Sequence, residues 1–119
     1  MFENQNSKKY DLEDRTFNFA RNVRSYLRKA KKTIISIEDM KQLVRSSGSV
    51  AANYIEANEA LSKKDFAMRI KICRKEAKES RLWLKLLMPE DENNSEINIL
   101  IQEATELTKI FGSMVEKSK

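Results

Sequence analysis

Apolar side chains recur every three or four residues over four stretches of the chain, the spacing that places them on one face of a helix. The four predicted helices cover about 11–31, 36–60, 63–88 and 95–116. Because short connections force consecutive helices to run in opposite directions, this pattern predicts an all-α fold, an antiparallel up-down-up-down left-handed four-helix bundle. We expect one bundle domain over 11–116, preceded by a disordered or extended segment over 1–10.

Local signals mark the helix ends. Ser36 and Ser62 each precede an aspartate by three positions, which resembles a capping arrangement at the start of the second and third helices. Pro89 ends the third helix, and Asn94 or the serine after it can cap the fourth. Gly48 lies inside the second helix at a cost of about 1 kcal/mol relative to alanine, which indicates close packing there.

The composition favours helices over a β fold. The 119 residues include two glycines and one proline, while 34% are charged and 40% hydrophobic. Since no stretch approaches the roughly 18 to 20 uncharged residues of a membrane span, we expect a cytoplasmic protein with no membrane partner. The single cysteine, Cys73, has apolar neighbours at helical spacing and is expected to be a buried packing residue.

The residue types of most catalytic designs are missing. The sequence has no histidine, which excludes Ser-His and Cys-His nucleophile pairs and histidine-ligated metal centres. Its two glycines are isolated and form no phosphate-binding loop. Acidic pairs such as Glu56 with Glu59 have a spacing that is common on helix surfaces. We therefore predict no enzyme, no catalytic residue, no metal site and no cofactor.

The net charge of +5 is unevenly distributed along the chain. Residues 62–88 carry nine basic and three acidic side chains, whereas 89–107 carry six acidic and none basic. Rows of cations at helical spacing on the first and third helices are candidates for tracking a phosphate backbone. These nucleic-acid-binding candidates are Arg21, Arg24, Arg28, Lys71, Arg74, Lys78, Arg81 and Lys85. Alternatively, Glu96, Glu103 and Glu106 neutralise part of the row within the bundle or between subunits.

The helices carry more apolar residues than one buried seam requires. The surplus either widens the core or joins copies of the chain, and we favour self-association because several of these residues lie far from the seam of the third helix. The candidate interface residues are Met68, Ile72, Leu82, Trp83 and Leu86. Trp83 is expected to be the strongest single anchor, because aromatic side chains dominate interface energetics.

A row of polar residues lies beside the apolar seam of the second helix, with members three or four positions apart. The row consists of Gln42, Arg45, Ser49, Asn53 and Glu56. It either forms a hydrogen-bonded ladder that fixes the register of a helix or subunit contact, or binds a ligand or partner. We favour the structural interpretation.

Four segments resemble one known family. They are QLVRSSGSVAANYIEA at 42–57, DLEDRTF at 11–17, SKKDF at 62–66 and KEAKES at 75–80. Together they are similar to the four-helix-bundle proteins encoded in intervening sequences of bacterial 23S ribosomal RNA genes. The resemblance implies a left-handed bundle, a homopentamer, and similarity to accessory proteins of diversity-generating retroelements, whose bundles bind nucleic acid and a reverse transcriptase. It implies no established activity.

From these observations we predict a self-assembling bundle, expected to be a homopentamer, that binds RNA or a ribonucleoprotein by charge and shape. The alternative is a protein–protein adaptor or assembly scaffold that does not bind nucleic acid. The sequence does not identify an RNA or protein partner.

Overall fold

The computed structural model describes the backbone of residues 2–90 and 94–118 and the side chains of 12–89 and 94–118. The described part of the chain consists of four α-helices and one short 3-10 turn, with no strand. The helices are α1 (Phe2–Lys29), α2 (Ile34–Asn58), α3 (Lys63–Leu87) and α4 (Ser95–Lys117), and the 3-10 turn is Met88–Glu90. The all-α fold and the four helices predicted from the apolar spacing are confirmed.

Two helix starts differ from the prediction. Helix α1 begins at Phe2, whereas the sequence predicted a helix from about residue 11 after a disordered or extended segment over 1–10. The cap of α2 is Thr33 rather than Ser36: the Thr33 side chain accepts a hydrogen bond from the Ser36 amide, and the Ser36 side chain accepts one from the Thr33 amide. The caps predicted for α3 and α4 are confirmed, with Ser62 and Asn94 accepting backbone hydrogen bonds.

Interhelical hydrogen bonds give the directions of the helices. Between α2 and α3, Ser46 pairs with Ser80 and Asn53 with Arg69, so one residue number rises as the other falls. Arg15 and Lys29 of α1 pair with Glu103 and Glu96 of α4 in the same inverse order. These two pairs of neighbouring helices are therefore antiparallel. The left-handed twist of the bundle stays a prediction.

The arrangement of the helices decides which surfaces can act together. The buried apolar residues of all four helices form one cluster, which includes Phe19, Leu43, Ile70 and Phe111. Helices α1 and α3 each pack against both α2 and α4. They consequently lie diagonally across the bundle, and their outward faces point to opposite sides.

Three apolar residues that continue the three- and four-residue spacing in or just after α2 lie outside the core. Leu61 is 97% exposed because α2 ends at Asn58 and leaves it in the turn before α3. Ile37 and Val44 are partly exposed, since they lie at the edge of the seam facing the groove between α1 and α2.

Candidate binding surfaces

The outward face of α3 carries cations and apolar side chains together. Its exposed residues follow one another mostly at steps of three or four positions, which keeps them on one side of the helix. They are Met68, Lys71, Lys75, Lys78, Leu82, Lys85 and Leu86. From first to last they span about 27 Å at 1.5 Å per residue. Residues predicted to bind nucleic acid and residues predicted to join subunits therefore share one surface, the outer α3 face.

Two members of the predicted basic row, Arg74 and Arg81, are partly buried rather than on the outer α3 face. Arg74 packs beside α4, because a Cβ added to Gly112 would lie 3.7 Å from the Arg74 Cδ. Arg81 follows seven positions later, and its Nε is buried with no hydrogen-bond partner in the described residues. Lys75, which the sequence analysis did not single out, is exposed instead, and its four-residue step from Lys71 is the signal for it.

Three acidic side chains of α4, Glu96, Glu103 and Glu106, pair with α1. Arg15 bonds Glu103 at 2.6 Å and Glu106 at 3.2 Å, and Lys29 bonds Glu96 at 3.0 Å. Over residues 12–89 and 94–118, none of the four lysines of the outer α3 face has a carboxylate within 4.0 Å. Within one chain, α4 thus neutralises part of α1 and leaves those lysines unpaired by the described acids.

The basic residues predicted on α1 have three different environments. Arg24 is turned toward α2 and donates to the Val44 carbonyl oxygen at 3.1 Å. The Cζ atom of Arg21 lies 5.5 Å from the centroid of the Phe17 ring, and Arg28 is exposed. Because α1 and α3 are diagonal, the exposed arginines of α1 and the lysines of the outer α3 face lie on different sides of the subunit.

The polar row on α2 does not form one continuous ladder. Asn53 donates to the Ser49 hydroxyl at 3.0 Å, but it also accepts from Arg69 of α3 at 3.0 Å. Arg45 donates to the nearly buried Glu76 of α3 at 3.3 Å. The glutamine and glutamate at the ends of the row are exposed. The middle of the row therefore links α2 to α3.

The predicted interface residues of α3 divide into two groups. Met68, Leu82 and Leu86 are 47%, 49% and 50% exposed. Ile72 and Trp83 are partly buried, because they share the side of α3 that carries the glutamates bonded to α2. The Trp83 indole packs against the core, and its Nε1 is buried without a hydrogen-bond partner among the described residues. Met68, Leu82 and Leu86 therefore provide most of the exposed apolar surface of α3.

An apolar groove that the sequence analysis did not identify lies between α1 and α2. Leu27 and Met40 form its floor, Ile37 and Val44 its wall, and its volume is about 630 Å³. Its other lining residues are all cationic: Arg24, Arg28, Lys32 and Lys41. The seven-residue step between Ile37 and Val44, with cations nearby in sequence, is the signal for it. We call this surface the α1–α2 groove.

The described residues contain no candidate metal cluster, and their one cysteine is not activated. No set of three or more His, Cys, Asp or Glu side chains that could hold a metal ion occurs among them. Burial raises the pKa of the Cys73 thiol to about 12, and its Sγ lies 3.6 Å from the Val50 carbonyl oxygen that it bonds. Across the same residues, no helix is long and apolar enough to cross a membrane.

Over the described residues, fold and surfaces together define a bundle of four long helices with cationic and apolar outer faces. The chain belongs to the 23S rRNA-intervening sequence protein family, whose sequence profile matches residues 8–113. This confirms the resemblance found in the sequence. No curated protein matches the chain.

The chain is similar to a crystal structure from Bacteroides thetaiotaomicron VPI-5482, described as a protein with unknown function from the S23 ribosomal protein family. The two share 28% sequence identity with a TM-score of 0.75. The match covers 87% of this chain and 97% of the other, so it extends over nearly the whole bundle.

Proposed function

We propose that this chain is a non-enzymatic, self-assembling helical bundle that binds RNA or a ribonucleoprotein through charge and shape. The observation that carries the proposal is the row of lysines on the outer α3 face, which no described carboxylate neutralises. Membership of a family named after a 23S rRNA intervening sequence supports RNA as the nucleic acid.

The lysines suit a phosphate backbone better than they suit base recognition. Lys71, Lys75 and Lys78 follow at steps of four and three residues, which places successive Cα atoms about 4.5 to 6 Å apart along the helix axis. Lysine is a point charge without planar geometry, and the exposed residues of this face include no aromatic side chain on which a base could stack. Affinity would therefore come from counterion release and depend little on RNA sequence.

The direct test replaces Lys71, Lys75 and Lys78 with glutamate in the full chain. Binding of a short RNA duplex is measured by filter retention over a series of salt concentrations. We expect the logarithm of affinity to depend less steeply on the logarithm of salt, by roughly 0.9 for each phosphate that the variant no longer neutralises, or about 2 to 3 in total. All three side chains are exposed, so the variant is expected to fold.

A matched control separates local charge from total charge. Changing Lys63, Lys64 and Lys109 to glutamate alters the net charge equally at exposed positions away from the middle of the outer α3 face. We expect this control to keep most of the salt dependence of the unmodified chain. Equal RNA retention in both triple variants would contradict a binding site on α3.

The adaptor alternative makes a different prediction for the same variants. It is favoured by Leu82 and Leu86, which are half exposed on the same face as the lysines and could bury against another protein. Light scattering reports the mass of each variant without RNA, and the proposed pentamer has five times the mass of one chain. If the α3 triple variant splits the assembly without changing RNA retention, the lysines serve a subunit contact and the adaptor is the better description.

A further inference from the structure

The α1–α2 groove is separate from the outer α3 face, because it lies between α1 and α2 while α3 is diagonal to α1. Its floor residues Leu27 and Met40 are 7% and 8% exposed, whereas Ile37 and Val44 are 39% and 37% exposed. Water therefore reaches apolar side chains along a concave surface, the usual form of a site that binds another molecule.

The length of the groove fits a docked helix. Ile37 and Val44 are seven residues apart, so the exposed apolar wall is about 10 Å long. Two turns of a second helix have the same length, and its apolar residues at positions i, i+3 or i+4, and i+7 would reach the wall together.

The lining residues set the charge of the partner. Four cations and no carboxylate line the groove. Arg28 is exposed, and Lys41 has only a distant partner in Glu38, at 3.7 Å between side chains that are both about 70% exposed. A partner with acidic residues beside its apolar stripe would meet these cations, while a basic partner would be repelled.

The acidic surface of α4 in a second copy is a poorer occupant. Ile99 is 67% exposed on α4, but the neighbouring Glu96 and Glu103 are bonded to α1. A second copy that docked this surface into the groove would have to give up those ion pairs. Nucleic acid does not match the apolar floor, which offers phosphates no hydrogen bond.

We propose that the α1–α2 groove docks an amphipathic helix of another protein, with an apolar stripe flanked by glutamate or aspartate. This site is independent of the RNA surface proposed on α3.

The probes are three labelled peptides of about 15 residues, long enough for an isolated helix to begin to form. They share one leucine stripe and carry glutamate, glutamine or lysine at every flanking position. Fluorescence anisotropy with the full chain measures binding. We expect saturable binding of the glutamate peptide, about tenfold weaker binding of the glutamine peptide, and none of the lysine peptide, since several exposed ion pairs add up to roughly 1.4 kcal/mol.

Two variants locate the binding site. Val44→Glu places a negative charge on the apolar wall and is expected to abolish binding of the glutamate peptide. Lys41→Gln, at an exposed position where the variant is expected to fold, should weaken it by two- to fivefold, and Lys109→Gln is the matched control without effect. The α3 triple variant is expected to bind the peptide normally, which separates this test from that of RNA binding.

Three results would overturn the proposal. The first is no saturable binding of the glutamate peptide, and the second is equal affinity for the glutamate and glutamine peptides. The third is a Val44→Glu variant whose mass in light scattering falls below that of the unmodified chain, which would make the groove a contact between copies.

Discussion

Arg24 is a predicted nucleic-acid-binding residue, but its guanidinium is occupied within the fold. It donates to the carbonyl oxygens of Ala20 at 3.0 Å and Val44 at 3.1 Å, and to the Ser47 hydroxyl at 3.4 Å. Its Nη2 lies over Gly48, where an added Cβ would be 3.0 Å away. The close packing expected at this glycine is present, and the neighbour is an arginine side chain.

This packing predicts that the effect of Gly48→Ala depends on Arg24. Alanine is about 1 kcal/mol better than glycine inside a helix, but in the unmodified chain the new methyl group requires the guanidinium to shift, which weakens its hydrogen bonds. We expect Gly48→Ala to raise the free energy of unfolding by about 1 kcal/mol in an Arg24→Met background and by clearly less in the unmodified chain. Urea denaturation of the four proteins measures this, and equal effects in both backgrounds would contradict the packing of Arg24 on Gly48.

At the scale of helices, the interface between α2 and α3 combines apolar packing with polar links. The Ser46 and Ser80 hydroxyls lie 2.8 Å apart in the buried interior. Nearer the surface, Arg45 bridges Glu76 and Glu79 at 3.3 and 3.2 Å. Because the Glu76 side chain is only 8% exposed, Arg45 compensates a carboxylate that water reaches poorly.

We therefore predict that Arg45→Met is more destabilising than the removal of other surface ion pairs. The expected decrease in the free energy of unfolding is about 1 to 2 kcal/mol, reduced from that of a fully buried pair because Arg45 is half exposed. Lys41→Met, which removes the exposed pair with Glu38, is the matched control and should cost little. In a Glu76→Gln background the penalty of Arg45→Met should shrink, and a penalty that persists there would assign the effect to packing.

The sequence predicts elements better than it predicts surfaces. The three- and four-residue apolar rhythm identifies all four helices, because burial of one stripe determines that rhythm. The same rhythm cannot tell which neighbour each flank of a helix meets. Arg74 packs beside α4, and Trp83 lies on the flank that bonds α2, although both are on a helix whose spacing is predicted correctly. The diagonal placement of α1 and α3, by contrast, follows from the predicted up-down-up-down order, in which consecutive helices are neighbours, so the separation of their two basic rows was predictable from the sequence.

For the whole molecule, buried ionisable groups predict a decrease in stability at high pH. Burial raises the pKa of Cys73 from 9.0 to about 12, and burial raises the pKa of Tyr54 as well. Above pH 9 the unfolded chain loses the thiol proton while the folded chain keeps it, so the free energy of unfolding falls as the pH rises from 9 toward 12.

Chemical denaturation at a series of alkaline pH values measures this decline. A Cys73→Ala variant is the control: it is less stable at neutral pH because it loses packing, but its stability should fall less steeply above pH 9. Parallel pH curves for the two proteins would show that the thiol does not contribute.

The diagonal placement of α1 and α3 has a consequence for any closed ring of copies. If a ring turns α1 toward its axis, the exposed Arg28 of every copy lines the central hole, and the α3 lysines encircle the outer rim. If a ring turns α3 toward its axis instead, the α3 lysines line the hole and Arg28 lies on the outer rim. In either orientation Arg28 and the α3 lysines face different spaces, so an acidic helix docked beside Arg28 and an RNA bound by the α3 lysines would not displace each other.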